Sequence, residues 1–338
     1  MYDSYNKRRI NGYSNEEIAK LQEEREKYLL AREEMFERRK KIKKNIEISI
    51  LIIGLLVILF FIYKNYFRPV KIDPRIDRNS IHYVTDLYYS DGRYYEKYLN
   101  AQEKKMYLYV LNDIKDLRER SSASCKQFGY NNNYECAKDI EKIVDVVLME
   151  HPDLFWYRSS GAAYYTSQDK VLFYHQYVSK NKFRLYFVER KLLRKIDELA
   201  SKYKNDSDYD KIVNVYTWLG GNKHYSKFIT TKDGTAWSAL LTNNTVCAGF
   251  AAASQLLFQR LGIDSTLVVG KLNGGGHAWN LVYLEDGYYW YDSTVGGSVG
   301  KDSLAFYYGL FFKDTLYRVD IIDANKINFG SKYLKKYR

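Results

Sequence analysis

A single long apolar run constrains this chain more than any other feature of its sequence. From Ile46 to Tyr63 every residue is apolar or small except Glu47, which lies at the edge of the run. A helix rises about 1.5 Å per residue, so this run is close to the thickness of a bilayer's hydrocarbon core. No other segment approaches this length. The sequence therefore predicts one transmembrane helix over residues 46–63 and excludes a multi-span transporter.

Positive charge is distributed unequally around the run. Six of the seven residues at 38–44 are Lys or Arg, whereas the other side carries the widely spaced Lys64, Arg68 and Lys71. Since Lys and Arg are retained in the cytosol, we expect a cytoplasmic N-terminus and an extracellular domain after residue 63. A cleaved signal peptide fits less well, because a long charged segment precedes the run and bulky aromatic residues follow it.

The segment before the run, residues 1–45, is expected to be a charged cytosolic helix. Ser14 and Glu17 have the spacing of a capping box. Apolar residues recur every seven positions, at Leu21, Tyr28, Met35 and Ile42. This spacing is typical of coiled coils, but the companion heptad position holds arginines. We therefore favour a solvated helix and expect at most weak self-association.

Composition places the rest of the chain among folded domains. The sequence has 338 residues, 46% of them apolar and 17% aromatic, with 3 prolines and 20 glycines. These values exclude a disordered or collagen-like chain and leave room for one or two domains with a proper core. The net charge of +12 is too diffuse to indicate nucleic acid binding. It either draws the extracellular part to an anionic envelope surface or only aids solubility.

Three regions are expected after the run: a stalk at residues 64–80, an α+β region at 81–203, and a final domain at 204–338. Apolar periodicity in the α+β region predicts two helices, an antiparallel hairpin and a third helix. Their approximate bounds are Glu103–Arg118 and Glu135–Met149 for the first two helices, Val171–Val178 with Phe183–Val188 for the hairpin, and Glu189–Tyr203 for the last helix.

Two of the chain's 3 cysteines, Cys125 and Cys136, flank a polar loop. Outside a membrane, a disulfide between them would stabilise the fold by about 3 kcal/mol through loop closure. The alternative is two unpaired thiols in a polar loop, since some cell surfaces use few disulfides.

The third cysteine occupies a position that changes thiol chemistry. Residues from Cys247 to Leu261 have helical apolar spacing, and Gly262 is the kind of residue that commonly ends a helix. Cys247 would therefore lie in the first turn, at the positive end of the helix dipole. This location lowers the pKa of a thiol and favours the reactive thiolate.

A hairpin further along the chain is predicted to bring a histidine to a carboxylate. If residues 285–286 form its two-residue loop, Asp292 lies opposite Trp279. His277 is two residues from Trp279 and therefore on the same face as Asp292, at a diagonal distance of about 7 Å between β-carbons. Asp292 can then orient the imidazole of His277, while the helix start presents Cys247 to the other ring nitrogen.

These residues together resemble the core of the transglutaminase-like superfamily. The matching segments are Val246-Cys247-Ala248-Gly249-Phe250, Leu261-Gly262-Ile263-Asp264-Ser265, Val269-Gly270, His277-Ala278-Trp279-Asn280 and Trp290-Tyr291-Asp292-Ser293-Thr294. The likeness is strong over about Tyr209–Thr294. It extends weakly back to His151–Tyr157 and the predicted hairpin that follows, which are similar to the segment before the core in bacterial surface members. It does not cover the N-terminal tail or the apolar run.

The resemblance implies an α+β, papain-like fold in which the cysteine helix packs on an antiparallel sheet. It assigns Cys247 as the nucleophile, His277 as general base and acid, and Asp292 as the residue that holds the imidazole. The backbone N–H of Cys247 would form part of an oxyanion hole. For the second donor Trp237 is one option by proximity, and an aromatic core role is the other interpretation of this residue.

Other motifs are set aside. Residues 296–300 match the Gly-x-Ser-x-Gly nucleophile elbow, but that class needs a histidine downstream of the serine, and none follows His277. The remaining histidines lack the spacing of zinc ligands, and no Walker loop is present. We therefore expect neither a cofactor nor a metal.

We expect a membrane-anchored enzyme that attacks an amide of a protein or peptide in the cell envelope through a Cys247 thioester. Transfer of the acyl group to an amine would make it a transglutaminase, and transfer to water a cysteine protease or amidase. The sequence leaves this acceptor open, because water exclusion depends on pocket shape. The alternative is a non-catalytic envelope module that uses the same fold for adhesion or assembly. No nucleic acid partner is expected.

Overall fold

The computed structural model of the chain describes residues 15–62, 95, 98–158, 162–166, 170–227, 229–230, 232–312, 317–319 and 328–334. These residues belong to two compact units, residues 1–69 and 70–338. The expected stalk at 64–80 and Ser14 of the expected capping box lie outside the described residues.

The described part of the first unit is one helix, α1 (Asn15–Ile62), which continues without a break from the charged segment into the apolar run. Within the residues that the structure describes, it is the one helix long and apolar enough to cross a membrane, with a mean hydropathy of 2.2 in its most apolar stretch. None of that stretch is buried within the chain. An uncovered apolar surface of this length is what a lipid-facing helix presents.

The first described elements of the second unit are helices packed beside a small sheet. The elements are α2 (Ala101–Lys115), β1 (Arg120–Ser124), α3 (Cys125–Phe128), α4 (Asn133–Glu150), β2 (Ala162–Thr166) and β3 (Lys170–Tyr174). Asn100 caps α2, since its side chain accepts from the backbone of Glu103 while the carboxylate of Glu103 accepts from the backbone of Asn100. The strands form an antiparallel sheet in the order β1-β3-β2. Helices α2 and α4 closely match two of the predicted helices.

The hairpin predicted within residues 171–188 is wrong. Its first half contains β3, but the partners of β3 are β1 and β2. Its second half, Phe183–Val188, lies in helix α5 (Lys182–Tyr203). The helix forms because Asn181 caps it by accepting a hydrogen bond from the backbone of Arg184, and because its buried residues recur at helical spacing. Asn181 and Lys182, which lie between the two predicted strands, are the cap and the first residue of this helix.

Cys125 and Cys136 form a disulfide that joins α3 to α4. Both cysteines are fully buried and belong to the apolar core. The first of the two alternatives considered for these residues is therefore the one that the structure adopts.

The second half of the unit is a helix-covered antiparallel sheet. Its elements are α6 (Asp208–Asn222), β4 (His224–Tyr225), α7 (Ala236–Leu241), β5 (Asn244–Thr245), α8 (Cys247–Leu261), β6 (Ser265–Leu272), β7 (Gly275–Leu284), β8 (Gly287–Tyr291), α9 (Thr294–Val299), β9 (Leu310–Phe312) and β10 (Tyr317–Val319). Five described strands form the sheet in the order β10-β6-β7-β8-β9. Strands β4 and β5 form a short parallel pair. The fold is α+β, as expected.

Helix α8 has the predicted bounds and ends at Gly262, which adopts the left-handed conformation with φ 75°. Two side-chain hydrogen bonds tie this helix to the sheet. Gln255 Nε2 donates to the backbone carbonyl of Ser265 at 2.7 Å, and Asn280 Nδ2 donates to that of Ala251 at 3.1 Å. Because these bonds are buried and directional, they hold the start of α8 at a defined position beside β7.

Candidate active site

Cys247 is the first residue of α8, and a tight backbone approach holds that helix start in place. A β-carbon at Gly249 would lie 2.0 Å from Thr245 Oγ1 and 2.8 Å from the backbone oxygen of Asp233. Thr245 is fully buried, and its hydroxyl donates to the Asp233 carbonyl at 2.7 Å. Glycine is thus required at position 249, since the preceding loop passes directly against the first turn of α8.

The carboxylate of buried Asp233 organises that loop. It accepts hydrogen bonds from the backbone N–H of Thr230 at 2.7 Å and from the hydroxyls of Thr230 and Ser226 at 2.8 and 3.0 Å. The backbone carbonyl of Asp233 also accepts from the N–H of Val246 at 3.0 Å. Asp233 therefore links Val246, the residue before Cys247, to this loop. The loop has no periodic sequence pattern, so the sequence did not identify Asp233 as part of the site.

The β7–β8 hairpin has the predicted register. Residues 285–286 form its loop, and the strand pairing, extended by one residue past Tyr291, places Asp292 opposite Trp279. The imidazole Nε2 of His277 lies 2.7 Å from Asp292 Oδ2. The predicted diagonal contact is therefore a direct hydrogen bond.

Asp292 is held rigidly behind the imidazole. Its side chain is 2% exposed, and its second oxygen, Oδ1, accepts from the backbone N–H of Thr294 at 3.0 Å. Its own backbone N–H donates to the carbonyl of Gly309 at 2.7 Å. A β-carbon at Gly309 would lie 2.0 Å from the Asp292 carbonyl oxygen, so this second glycine allows the chain to close behind the carboxylate.

The Cys247 thiol and the His277 imidazole are hydrogen-bonded to each other. Burial alone would raise the pKa of the thiol, but the hydrogen bond and charge of His277, with backbone hydrogen bonds at Ala278 and Ala248, bring that pKa below its ordinary value. Burial would lower the pKa of His277, but Asp292 and Cys247 raise it to about 9. Both directions favour a thiolate–imidazolium pair at neutral pH.

The imidazole therefore bridges sulfur and carboxylate. Since Nε2 is bonded to Asp292, Nδ1 is the nitrogen left for the sulfur of Cys247. The cysteine is partly exposed and is the free thiol among the chain's 3 cysteines, all of which lie in the described part. A nucleophile beside an oriented proton donor can attack a carbonyl carbon and protonate the group that leaves.

A further polar group, the hydroxyl of Tyr225, is hydrogen-bonded to the Cys247 sulfur. Strand β4 pairs Tyr225 with Thr245, two residues before the cysteine. Burial, together with the charges of Cys247 and Asp292, raises the pKa of Tyr225, so this phenol keeps its proton and donates. The sequence did not reveal Tyr225, because a two-residue strand has no periodicity and its parallel pairing joins distant parts of the chain.

Trp237, considered above as an oxyanion donor, has aromatic and cationic contacts instead. The Trp237 ring meets that of Phe155 edge-on, with 6.3 Å between centroids. The guanidinium of Arg184 lies 5.1 Å from the centroid of the Trp237 ring. The residue is 8% exposed and belongs to the main core cluster. These contacts favour the packing interpretation of Trp237.

A cleft of about 320 Å³ opens in front of the sulfur. One wall carries Cys247 and His277, and the other comes from α4 and the segment that follows it, including Asp145, His151 and Tyr157. The imidazole of His151 is buried and held by the hydroxyl of Tyr107 at 2.8 Å and by Asp153 at 3.3 Å. The segment with the weak resemblance thus lies in the wall that faces the thiol. We call this cavity the thiol cleft.

The nucleophile-elbow match at 296–300 has a packing explanation. Gly296 lies in α9, where a β-carbon would come 2.9 Å from the α-carbon of Gly220, and one at Gly297 would come 2.2 Å from the ring of Phe250. These glycines allow α9 to pack closely against α6 and α8. Across the described residues, no three His, Cys, Asp or Glu side chains come together as ligands for a metal ion.

A family model described as the transglutaminase-like superfamily matches residues 197–293, so this part of the chain is a transglutaminase-like domain. No curated protein matches the chain.

Two solved structures have a low overall similarity to the chain. One is described as a TGase, with 14% identity and a TM-score of 0.32 over 51% of this chain and 52% of that one. The other is the periplasmic domain of TgpA from Pseudomonas aeruginosa bound to ethylmercury, with 17% identity and a TM-score of 0.25 over 38% of this chain and 55% of that one. The chain thus aligns with little more than half the length of either solved chain.

Proposed function

We propose that the chain is a membrane-anchored thiol enzyme that acts on amides of proteins or peptides outside the cell. The observation that carries this proposal is the hydrogen-bonded series of Cys247, His277 and Asp292 in the wall of an open cleft. The transglutaminase-like domain at 197–293 supports it. In this proposal Cys247 is the nucleophile, His277 the general acid and base, and Asp292 the residue that orients the imidazole.

In the first step the Cys247 thiolate attacks the carbonyl carbon of a substrate amide, and the carbonyl oxygen becomes an oxyanion. The backbone N–H of Cys247 and the hydroxyl of Tyr225 are the donors that we assign to that oxyanion. As the carbon–nitrogen bond breaks, the His277 imidazolium gives its proton to the departing nitrogen. Ammonia or an amine leaves, and the acyl group remains on sulfur as a thioester.

In the second step neutral His277 removes a proton from the acceptor as the acceptor attacks the thioester carbon. The carbon–sulfur bond then breaks, which restores the thiolate and the imidazolium. Water as acceptor gives hydrolysis, the outcome of a cysteine protease or amidase. A lysine side chain as acceptor gives a crosslink, the outcome of a transglutaminase.

The location proposed for this chemistry follows from α1. We propose that residues 46–63 anchor the chain in the membrane with a cytoplasmic N-terminus, because the basic residues at 38–44 precede the apolar run. The second unit then lies outside the cell. The Cys125–Cys136 disulfide supports this, since disulfides persist in oxidising compartments.

A thiol-directed acyl probe tests the proposal on the full chain in neutral detergent. One label is expected at Cys247, because the other two cysteines are bonded to each other. Cys247→Ala should remove the label. His277→Ala retains the thiol and should react about 100-fold or more slowly, since it lacks the base. Equal labelling of the Cys247→Ala chain would contradict the proposal.

Mass spectrometry of envelope proteins identifies the acceptor and tests the non-catalytic alternative. Glutamine–lysine crosslinks that vanish with Cys247→Ala indicate a transglutaminase, and new chain ends that vanish indicate a protease. An adhesion or assembly module predicts instead that the Cys247→Ala cell behaves like wild type while the full deletion does not.

A further inference from the structure

A second, larger cavity of about 730 Å³ lies beside the thiol cleft, between α5 and α7. Its cationic side chains all come from α5: Arg184, Lys191, Arg194 and Lys195. One acidic residue, Glu198, shares the lining and pairs with Lys195 at 2.7 Å and with Lys202 at 3.1 Å. We call this cavity the basic groove.

One further cation, Lys223, lies near Lys195 but does not line the basic groove. Lys223, which follows α6, donates from Nζ to the carbonyl of Thr242 at 2.7 Å, directly after α7. Burial and the charge of Lys195 both lower the pKa of Lys223. A lysine whose pKa responds to another lysine lies in its field, so cations from two elements act on the same region.

The other component of the groove is apolar and aromatic. Phe183 is 71% exposed, and its ring meets that of Phe187 edge-on at 4.4 Å between centroids. Trp237 and Leu241 of α7 complete this wall, with the Arg184 guanidinium 5.1 Å from the Trp237 ring centroid. An aromatic pair with one exposed ring, placed beside cations, is the combination that recognises an anion attached to an apolar group.

The groove and the thiol cleft share one short helix. Ala236 of α7 lines the thiol cleft, and the next residue, Trp237, lines the basic groove. The two cavities therefore adjoin the same helix, on faces that successive residues present about 100° apart. In our proposal, an extended peptide with its reacting amide at Cys247 crosses α7 to reach the groove.

We propose that the basic groove is a substrate subsite for an acidic peptide segment that also carries aromatic or aliphatic side chains. This inference rests on the proposed function, because it assigns the substrate whose amide reaches Cys247. Glutamate or aspartate carboxylates pair with the α5 cations, and the apolar side chains cover Phe183 and Phe187. A polyanion without apolar groups would leave that wall exposed to water, so the peptide is the better match.

The test measures binding of a fluorescein-labelled peptide of alternating glutamate and phenylalanine by anisotropy. The protein is the full chain with Cys247→Ala in neutral detergent, so no turnover occurs. Peptides with glutamine for glutamate, or with alanine for phenylalanine, should each bind about fivefold or more weakly. Equal binding of either control peptide would overturn the proposal.

Charge reversal locates the site. The side chains of Arg184 and Lys191 are both exposed. Arg184→Glu and Lys191→Glu should each weaken peptide binding by about fivefold or more, and the loss should be smaller in high salt. Lys105→Glu, exposed on α2 away from the groove, makes the same change in net charge and should alter binding less than about twofold. Circular dichroism verifies that each variant is folded. Equal effects of all three reversals, or full competition by anionic lipid vesicles, would overturn the proposal.

Failure of this inference is distinguishable from failure of the proposed function. Labelling of Cys247 by the acyl probe reports on the thiol alone, and peptide binding by the Cys247→Ala chain reports on the groove alone. A labelled wild-type chain whose peptide binding ignores Arg184 and Lys191 removes the subsite and leaves the enzyme.

Discussion

At the scale of single residues, His277 is the centre of the hydrogen-bonded series in the thiol cleft, because it contacts both Cys247 and Asp292. Its pKa of about 9 lies above the ordinary 6.5 because the carboxylate and the thiolate stabilise its charged form against burial. A raised pKa in the folded state means that this ion pair stabilises the fold fully below pH 6.5. The contribution is lost as the pH rises through about 9.

The same shift predicts the alkaline limit of activity. We expect kcat/KM to fall as the pH rises through about 9, because deprotonated His277 cannot protonate the departing nitrogen. Asp292→Asn should move this limb to lower pH and reduce kcat/KM about 100-fold or more, since the amide neither charges nor orients the imidazole equally well. A pH–rate profile of both chains measures this, and an unmoved limb in Asp292→Asn would contradict the assignment.

Tyr225 has a separate prediction. Tyr225→Phe removes the hydroxyl that contacts the sulfur, and we expect kcat to fall about 100-fold with KM within about twofold, the pattern of a group that acts in the transition state. Tyr134→Phe is the matched control, because Tyr134 is 75% exposed on α4. If Tyr225→Phe raises KM and leaves kcat unchanged, the hydroxyl binds the substrate and not the oxyanion.

At the scale of elements, the start of α8 depends on a glycine that lies against the preceding loop. Gly249→Ala would place a β-carbon 2.0 Å from Thr245 Oγ1, and we expect it to lower the free energy of unfolding by about 1–3 kcal/mol. Gly221→Ala is the control, since nothing lies within 4 Å of its β-carbon position in α6. It should be neutral or stabilising by up to about 1 kcal/mol. Tryptophan fluorescence in denaturant measures both.

The α3–α4 disulfide has its own energetic prediction. Cys125→Ala with Cys136→Ala should lower the free energy of unfolding by about 2–3 kcal/mol, because the unfolded chain gains the freedom of an open loop. Labelling of Cys247 should persist in this variant, which the acyl probe verifies. Unfolding at the same denaturant concentration with and without the bond would show that the disulfide does not stabilise the fold.

Elements whose ends carry local signals were predictable from the sequence. Helix α8 ends at Gly262 as predicted, and the two-residue loop at 285–286 set the register that joins His277 to Asp292. Phe183–Val188 was wrongly predicted to be a strand, because its short apolar pattern fits a strand as well as a helix. Asn181, which caps the helix, is also a residue type that is common in turns. Tyr225 and Asp233 were missed since their roles arise from long-range contacts that leave no periodic pattern.

At the scale of the whole molecule, the chain joins an apolar helix to a domain whose core is continuous. One buried cluster in the second unit extends from Tyr95 to Phe311 and includes both Phe155 and Phe250. The transglutaminase-like match at 197–293 therefore covers only part of the residues that share this core. Because packed cores transmit strain, we expect core substitutions in the earlier α+β region to affect the thiol cleft.

The origin of the far wall of the thiol cleft has a practical consequence. Asp145, His151 and Tyr157 face the sulfur from a region that precedes residue 197. A truncated protein that begins at residue 197 would keep Tyr225, Cys247, His277 and Asp292 and would lose this wall of the thiol cleft. If the proposed function holds, we expect such a fragment to lose substrate selectivity, because one of the two walls of the thiol cleft would be missing.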